Sequence, residues 1–152
     1  MTGAPAFDRV RTRLAAAGLD GHWIVPGETD GLRGLKGAYV LTIQLDRALP
    51  VGAGRESAGH LPPGTYLYAG SAHGAGGLAA RLRRHFRTDK KIHWHIDRLT
   101  LQAGGLAALA VVDGNECRLV AQLLSAGGFR IALDGFGSTD CRTCRSHLLT
   151  TG

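Results

Sequence analysis

Tyr66 and Tyr68 lie in a short apolar run that ends in Gly70-Ser71-Ala72, and Gly76-Gly77-Leu78 follows at once. Arg81 and His85 come next, four residues apart. A phenol, a glycine-rich turn that lets backbone approach an anion, and a guanidinium fork are groups that grip a phosphate and balance its charge. Tyr39 upstream adds a second phenol, and Glu116 downstream adds a carboxylate, the donor expected for a hard divalent cation. This set of side chains suits phosphodiester chemistry.

The elements that must position these groups follow from hydrophobic periodicity. Phe7, Val10 and Leu14 mark one face of a helix over 7–17 that ends near Gly18. A glycine-rich connection covers 18–36. Tyr39, Leu41, Ile43 and Leu45 alternate with Val40, Thr42 and Gln44, which predicts a half-buried strand. The stretch 46–63 reads as a long loop rich in Gly and Pro, and 65–69 as a second strand antiparallel to the first. Gly76-Gly77 opens a helix whose core positions are Leu78, Leu82 and Phe86, with Arg81 and His85 forming a neighbouring stripe. A third strand spans 106–112, and a helix spans 116–125. Val120 and Leu123 stand four and seven residues after Glu116, so its carboxylate aligns with the buried face of that helix.

Composition narrows the partners. With 152 residues, 44% of them hydrophobic, the chain suits one domain with its own core. It lacks any apolar run of the roughly 18 residues a membrane span requires, and the opening Met1-Thr2-Gly3-Ala4-Pro5 has no secretion pattern. Its three cysteines are an odd number. A cytoplasmic location is the expectation. The net charge of +6 favours polyanions. Most of it falls within 76–98, where seven basic residues face only Asp89 and Asp97. Arg83, Arg84, Arg87, Lys90, Lys91, His93, Trp94 and His95 are therefore candidates for a nucleic-acid groove, with Trp94 a base-stacking platform or a core plug.

Each group also has a structural reading. Glu116 in a first turn is favoured by the helix dipole alone, and Arg81 could lie along its own helix. A phenol titrates near pH 10, so tyrosine serves as a base only where nearby cations favour the phenolate. Cys141, Cys144 and His147 have zinc-ligand spacing, with Cys117, His93 or His95 as a fourth ligand. They lack a second paired half, so reduced, partly buried thiols are the simpler expectation.

Gly37-Ala38-Tyr39 and Tyr68-Ala69-Gly70, then Arg81 and His85, then Glu116, resemble the GIY-YIG nuclease superfamily. The blocks Tyr66 to Ala72, His93-Trp94-His95-Ile96-Asp97 and Gly135 to Cys141 look like its Uri-type endonuclease branch. The resemblance implies an α/β (α+β) fold with a central three-stranded antiparallel sheet flanked by helices. It places the nuclease domain at 36–152, after an N-terminal extension at 1–35 that resembles nothing recognised. The implied activity is endonucleolytic hydrolysis of DNA, single-stranded or structured, using one Mg²⁺ or Mn²⁺, with RNA still open. Tyr39 would be the general base, and Tyr68 would place the water or phosphate. Arg81 would stabilise the transition state, His85 would bond the phosphate or move a proton, and Glu116 would hold the metal. The alternative is a catalytically idle nucleic-acid-binding module using the same basic groove. Three departures accompany the resemblance. Both motif centres are alanine. The loop 46–63 is long enough for an extra hairpin or a flap. The late asparagine of many superfamily members is not evident; Asn115 should point elsewhere, and Ser138, Asp140 and His147 are the candidates to stand in.

Overall fold

The computed structural model describes residues 4–51, 59–133 and 146–151. A helix α1 (Ala4–Ala16) leads to a short strand β1 (His22–Ile24) and a 3-10 turn (Thr29–Leu32). Strand β2 (Gly37–Leu45) is followed by β3 (Leu49–Val51), β4 (Gly59–Leu61) and β5 (Gly64–Ala72). Helices α2 (Gly77–Phe86) and α3 (Ile96–Gln102) come next, then β6 (Gly105–Val112), α4 (Glu116–Ala126), β7 (Phe129–Ile131) and β8 (Leu148–Thr151). None of the helices described is long and apolar enough to cross a membrane.

The class is the expected mixed α/β one, but the sheet is larger than three strands. Six strands run in the order β1-β6-β2-β5-β8-β7, and every neighbouring pair is antiparallel. The central trio β6-β2-β5 is the predicted one. The added strands are three or four residues long and carry too few side chains to show a period of two. One of them, β1, lies inside the expected connection 18–36 and pairs with β6. The stretch 46–63 supplies β3 and β4, which pair as a separate two-stranded ribbon, so its ends form a hairpin rather than plain loop.

β2 is buried along almost its whole length instead of half-buried, because both faces of the sheet are covered. Tyr39, Leu41, Ile43 and Leu45 pack with Leu78 and Leu82 of α2 and with Ile96 and Leu99 of α3. Ala38 and Val40 face the other way, against Phe7, Val10 and Leu14 of α1 and Leu119 and Leu123 of α4. Residues 4–35 thus contribute a helix to one layer and a strand to the sheet.

Helix α3 was not anticipated from the sequence, and its fully buried Asp97 organises the surroundings of α2. The Asp97 carboxylate accepts two hydrogen bonds from the Arg84 guanidinium, at 2.8 and 3.0 Å, and one each from the backbone N–H groups of His93 and Trp94, at 2.8 and 2.9 Å. Burial alone would raise its pKa, but Arg84 and the two N–H donors outweigh that and hold the carboxyl well below the usual carboxylate range. Lys90 Nζ lies 3.8 Å from the same carboxylate and donates to the carbonyls of Arg84 and His85, closing the C-terminal end of α2. A buried ion pair of this kind contributes little net stability when intact, yet removing one partner typically costs about 3–5 kcal/mol. Its role here is to lock the segment 93–97 onto α2.

Candidate active site

β2 and β5 pair so that Tyr39 stands opposite Gly70 and Leu41 opposite Tyr68. Tyr39 and Tyr68 are therefore diagonal neighbours on the sheet face that carries α2. The Tyr39 ring lies directly across the Gly70 backbone. A Cβ on Gly70 would strike the ring carbon and oxygen of the phenol, so glycine is required there by space. β8 pairs with β5 only over Tyr66–Tyr68. Just beyond it Ala69 N–H donates to the His147 carbonyl at 3.0 Å, and α4 packs against β5. The result is a cleft of about 350 Å³ lined by Tyr39, Tyr68, Ala69, Gly70, Ser71, His73, Gly74, Arg81, Glu116 and His147.

Arg81 reaches the cleft from α2. That helix is opened by two left-handed glycines, Gly76 and Gly77, and anchored where Leu78 N–H donates to the Leu35 carbonyl at 2.9 Å. Glu116 reaches it from the first turn of α4, whose Val120 and Leu123 are buried as the spacing predicted. Asn115 caps that helix, its side-chain oxygen accepting from Arg118 N–H at 3.1 Å. It therefore has a structural role and points away from the chemistry, as anticipated.

His85 occupies a different position from the other four. It is 1% exposed and does not line the cleft. Its Nε2 lies 2.6 Å from Tyr39 Oη, while Nδ1 has no hydrogen-bond partner among the described residues. If Nδ1 carried the proton, an N–H would be buried bare; with the proton on Nε2, only a lone pair is bare, which costs less. That tautomer has His85 Nε2–H donating to Tyr39 Oη and leaves the Tyr39 hydroxyl proton free to turn toward the cleft. His85 acts on the cleft through Tyr39, and it has no direct reach to a phosphate there.

Burial, reinforced by Tyr68 beside it, pushes the Tyr39 phenol well above its ordinary pKa, although Arg81 pulls the other way. Burial raises Tyr68 as well, again opposed by Arg81. Among the described residues two of the expected cations are withdrawn from the phenols, because Arg84 and Lys90 are turned inward onto Asp97 and the end of α2. In the resting site both tyrosines are neutral. Burial, with the Lys90 charge nearby, lowers the His85 pKa to about 3.

That depression has a measurable consequence for stability. The unfolded chain takes up a proton at His85 below about pH 6.5, whereas the folded chain does not until about pH 3. Stability is complete above the ordinary value and declines as the pH falls through this window, by about 1.4 kcal/mol per pH unit well inside it. Urea unfolding of the native chain and of His85→Gln at pH 7 and pH 5 should show that about 2 kcal/mol of the native chain's loss disappears in the variant. Equal losses in both would contradict the buried neutral imidazole.

The remaining candidates divide. Arg83 and Arg87 are exposed and make surface pairs with Asp30 at 3.8 Å and Asp89 at 3.1 Å. Lys91, His93 and His95 are exposed on the segment between α2 and α3. Trp94 is half-buried against the core, with the Arg81 and Arg84 guanidinium carbons 4.8 and 4.3 Å from its ring centre. Cys141 and Cys144, like Ser138 and Asp140, lie outside the described residues. His147 is buried in the cleft wall, with its Nε2 3.9 Å from Cys117 Sγ. Cys117 is thus the one of the three suggested fourth ligands that is seen beside it. Ser71 and His73 also line the cleft and were not singled out in the sequence. Their only signal was position: Ser71 follows Gly70 within β5, and His73 comes directly after the strand ends at Ala72.

Among the described residues no group of three or more His, Cys, Asp or Glu side chains is placed to hold a metal. Among the described residues Glu116 is the only carboxylate in the cleft lining. A single carboxylate fits Mg²⁺, which keeps several waters and is commonly bound through one or two carboxylates plus substrate phosphate oxygens. A family model described as a domain of unknown function, DUF123, matches residues 38–152. No match was found among curated proteins or among solved structures.

Proposed function

The chain belongs to the DUF123 family, which is GIY-YIG-like, and from that premise we propose that it is a metal-dependent endonuclease acting on DNA phosphodiester bonds. The observation that carries the reading is the convergence of Tyr39, Tyr68, Arg81 and Glu116, from four different elements, on one open cleft. Glu116 would hold a single Mg²⁺ or Mn²⁺. When bound, that ion would neutralise the phosphate and favour the phenolate form of the nearby tyrosines.

The chain's own groups then divide the work. Arg81 binds the phosphate with its fork and stabilises the charge that grows on it. The Tyr39 phenol would first lose its proton to water in the open cleft; the phenolate Oη, its charge steadied by His85 Nε2–H, would then accept the proton of the attacking water. Tyr68, held beside Arg81, orients the water or a phosphate oxygen. The burial that keeps Tyr39 neutral at rest makes activation wait for positive charge to enter the cleft. Arg83, Arg87, Lys91, His93 and His95 offer an exposed basic flank to the strand. Arg84 and Lys90 belong to the scaffold rather than to that flank.

The test uses the whole chain with end-labelled single-stranded, duplex and branched DNA, and with RNA of the same sequences, in Mg²⁺, in Mn²⁺ and in EDTA. Internal cuts that need the metal, with DNA cut faster than RNA, are the expected result. Faster cutting of RNA would reassign the substrate. Salt-sensitive binding with no cleavage in any metal would favour the idle binding module.

A further inference from the structure

Trp94 was a candidate platform for stacking a base, but its surroundings give the ring another task. Arg81 and Arg84, three residues apart on α2, both bring their guanidinium groups over it, at 4.8 and 4.3 Å from the ring centre. The residue is fixed from behind. The Trp94 backbone N–H donates to Asp97 at 2.9 Å, which fixes the residue's main chain, and the same carboxylate holds Arg84 through two hydrogen bonds. The Trp94 ring also lies beside His85 and is packed against the core on that side. Arg84 is therefore immobilised by ions and by the ring together. Arg81 has no ion pair among the described residues, and it reaches from this same ring into the cleft beside Tyr39, Tyr68 and Glu116.

We propose that Trp94 is a positioning residue for Arg81: its π face holds the guanidinium aimed into the cleft, and the Asp97 hub holds the main chain that carries the ring. This rests on the nuclease reading for its kinetic consequence, while the geometry itself stands without it. A long, flexible side chain must otherwise lose rotamer freedom when it meets the transition state, and a guanidinium displaced by about 1 Å can cost on the order of 100-fold in rate. A cation–π contact with tryptophan, the strongest of the aromatic partners, removes that freedom in advance.

The experiment compares Trp94→Phe, which keeps an aromatic face, with Trp94→Leu, which keeps apolar volume without one. Trp94→Phe should retain kcat within about 3-fold, and Trp94→Leu should lose on the order of 100-fold in kcat at nearly constant KM. Placed on Arg81→Ala, Trp94→Leu should add no further loss, because the ring acts through that arginine. Three results would overturn the proposal: equal kcat for the two variants, a loss confined to KM as a base platform predicts, or an additive loss on Arg81→Ala. A second measurement needs no activity. The Arg81 Nε–H proton should resonate upfield in the native chain and in Trp94→Phe, and move back toward an ordinary arginine position in Trp94→Leu. If the native chain cleaves nothing, the nuclease reading fails, and this resonance alone decides the inference: a shift unchanged by Trp94→Leu would sink it.

Discussion

Replacing Glu116 by alanine should lower metal-dependent cleavage about 1000-fold, while binding of the same DNA in EDTA stays within a few-fold of the native chain. Three features of the structure lead to that expectation. Among the described residues Glu116 is the only carboxylate lining the cleft, and no second described acid is placed there to take over its role. The backbone that carries it is secured independently, by the Asn115 cap and by Leu119, Val120 and Leu123 packed on the sheet. The side chain itself is only half-buried. Losing a first-turn carboxylate weakens a helix by about 0.3–1 kcal/mol, too little to unfold the domain. Glu116→Gln, which keeps the shape and removes the charge, should behave like the alanine variant. Calorimetric titration with Mn²⁺ provides the parallel readout, since heat of binding seen with the native chain should vanish in both variants. Cleavage by Glu116→Ala at the native rate would refute the assignment of the metal to this residue.

Arg81→Ala should fall by a similar or larger factor, on the order of 10³, as arginines that stabilise phosphoryl transition states do. Alanine is the best helix former, and Arg81 carries none of the core contacts of α2, which are made by Leu78, Ala79, Leu82 and His85. The far-ultraviolet spectrum and the thermal midpoint should therefore change little. Arg81→Lys should recover only a small part of the rate, because an ammonium supplies charge without the planar fork. Single-turnover kinetics separate the possibilities. The loss should appear in the cleavage step, and a loss seen only in DNA affinity would mean that Arg81 is an ordinary groove cation.

How much of this was legible beforehand depended on element length. Strand β6 was read within one residue of its observed bounds. Helix α2 announced itself through Leu78, Leu82 and Phe86, and α4 through Val120 and Leu123 after Glu116, since long elements repeat their periods. Strands β1, β7 and β8 have three or four residues each, and α3 has seven. Such pieces are stabilised by the neighbours they pair with, not by any pattern of their own. For the same reason β2 looked half-buried: Val40 and Thr42 are dry only because α1 and α4 cover the second face. The four groups in the cleft were legible because each depended on one local fact, such as a strand register or an offset of four on a helix.

The amino-acid order by itself determined which chemistry was on offer: two phenols, a guanidinium, an imidazole and a carboxylate, each on an element whose period could be read. It did not determine where the charges would go. Arg84 lies three residues from Arg81 and looks equally available, yet Asp97 of α3 takes it and draws Lys90 in as well. His85 shares a helix stripe with Arg81 yet ends beneath Tyr39, sealed from solvent, while Arg81 reaches the cleft. Only the tertiary structure separates these cases. Helical spacing tells which side chains share a face, but burial and partners are set by whatever packs against that face, and here that is strand β2, distant in the chain, and the short helix that follows α2.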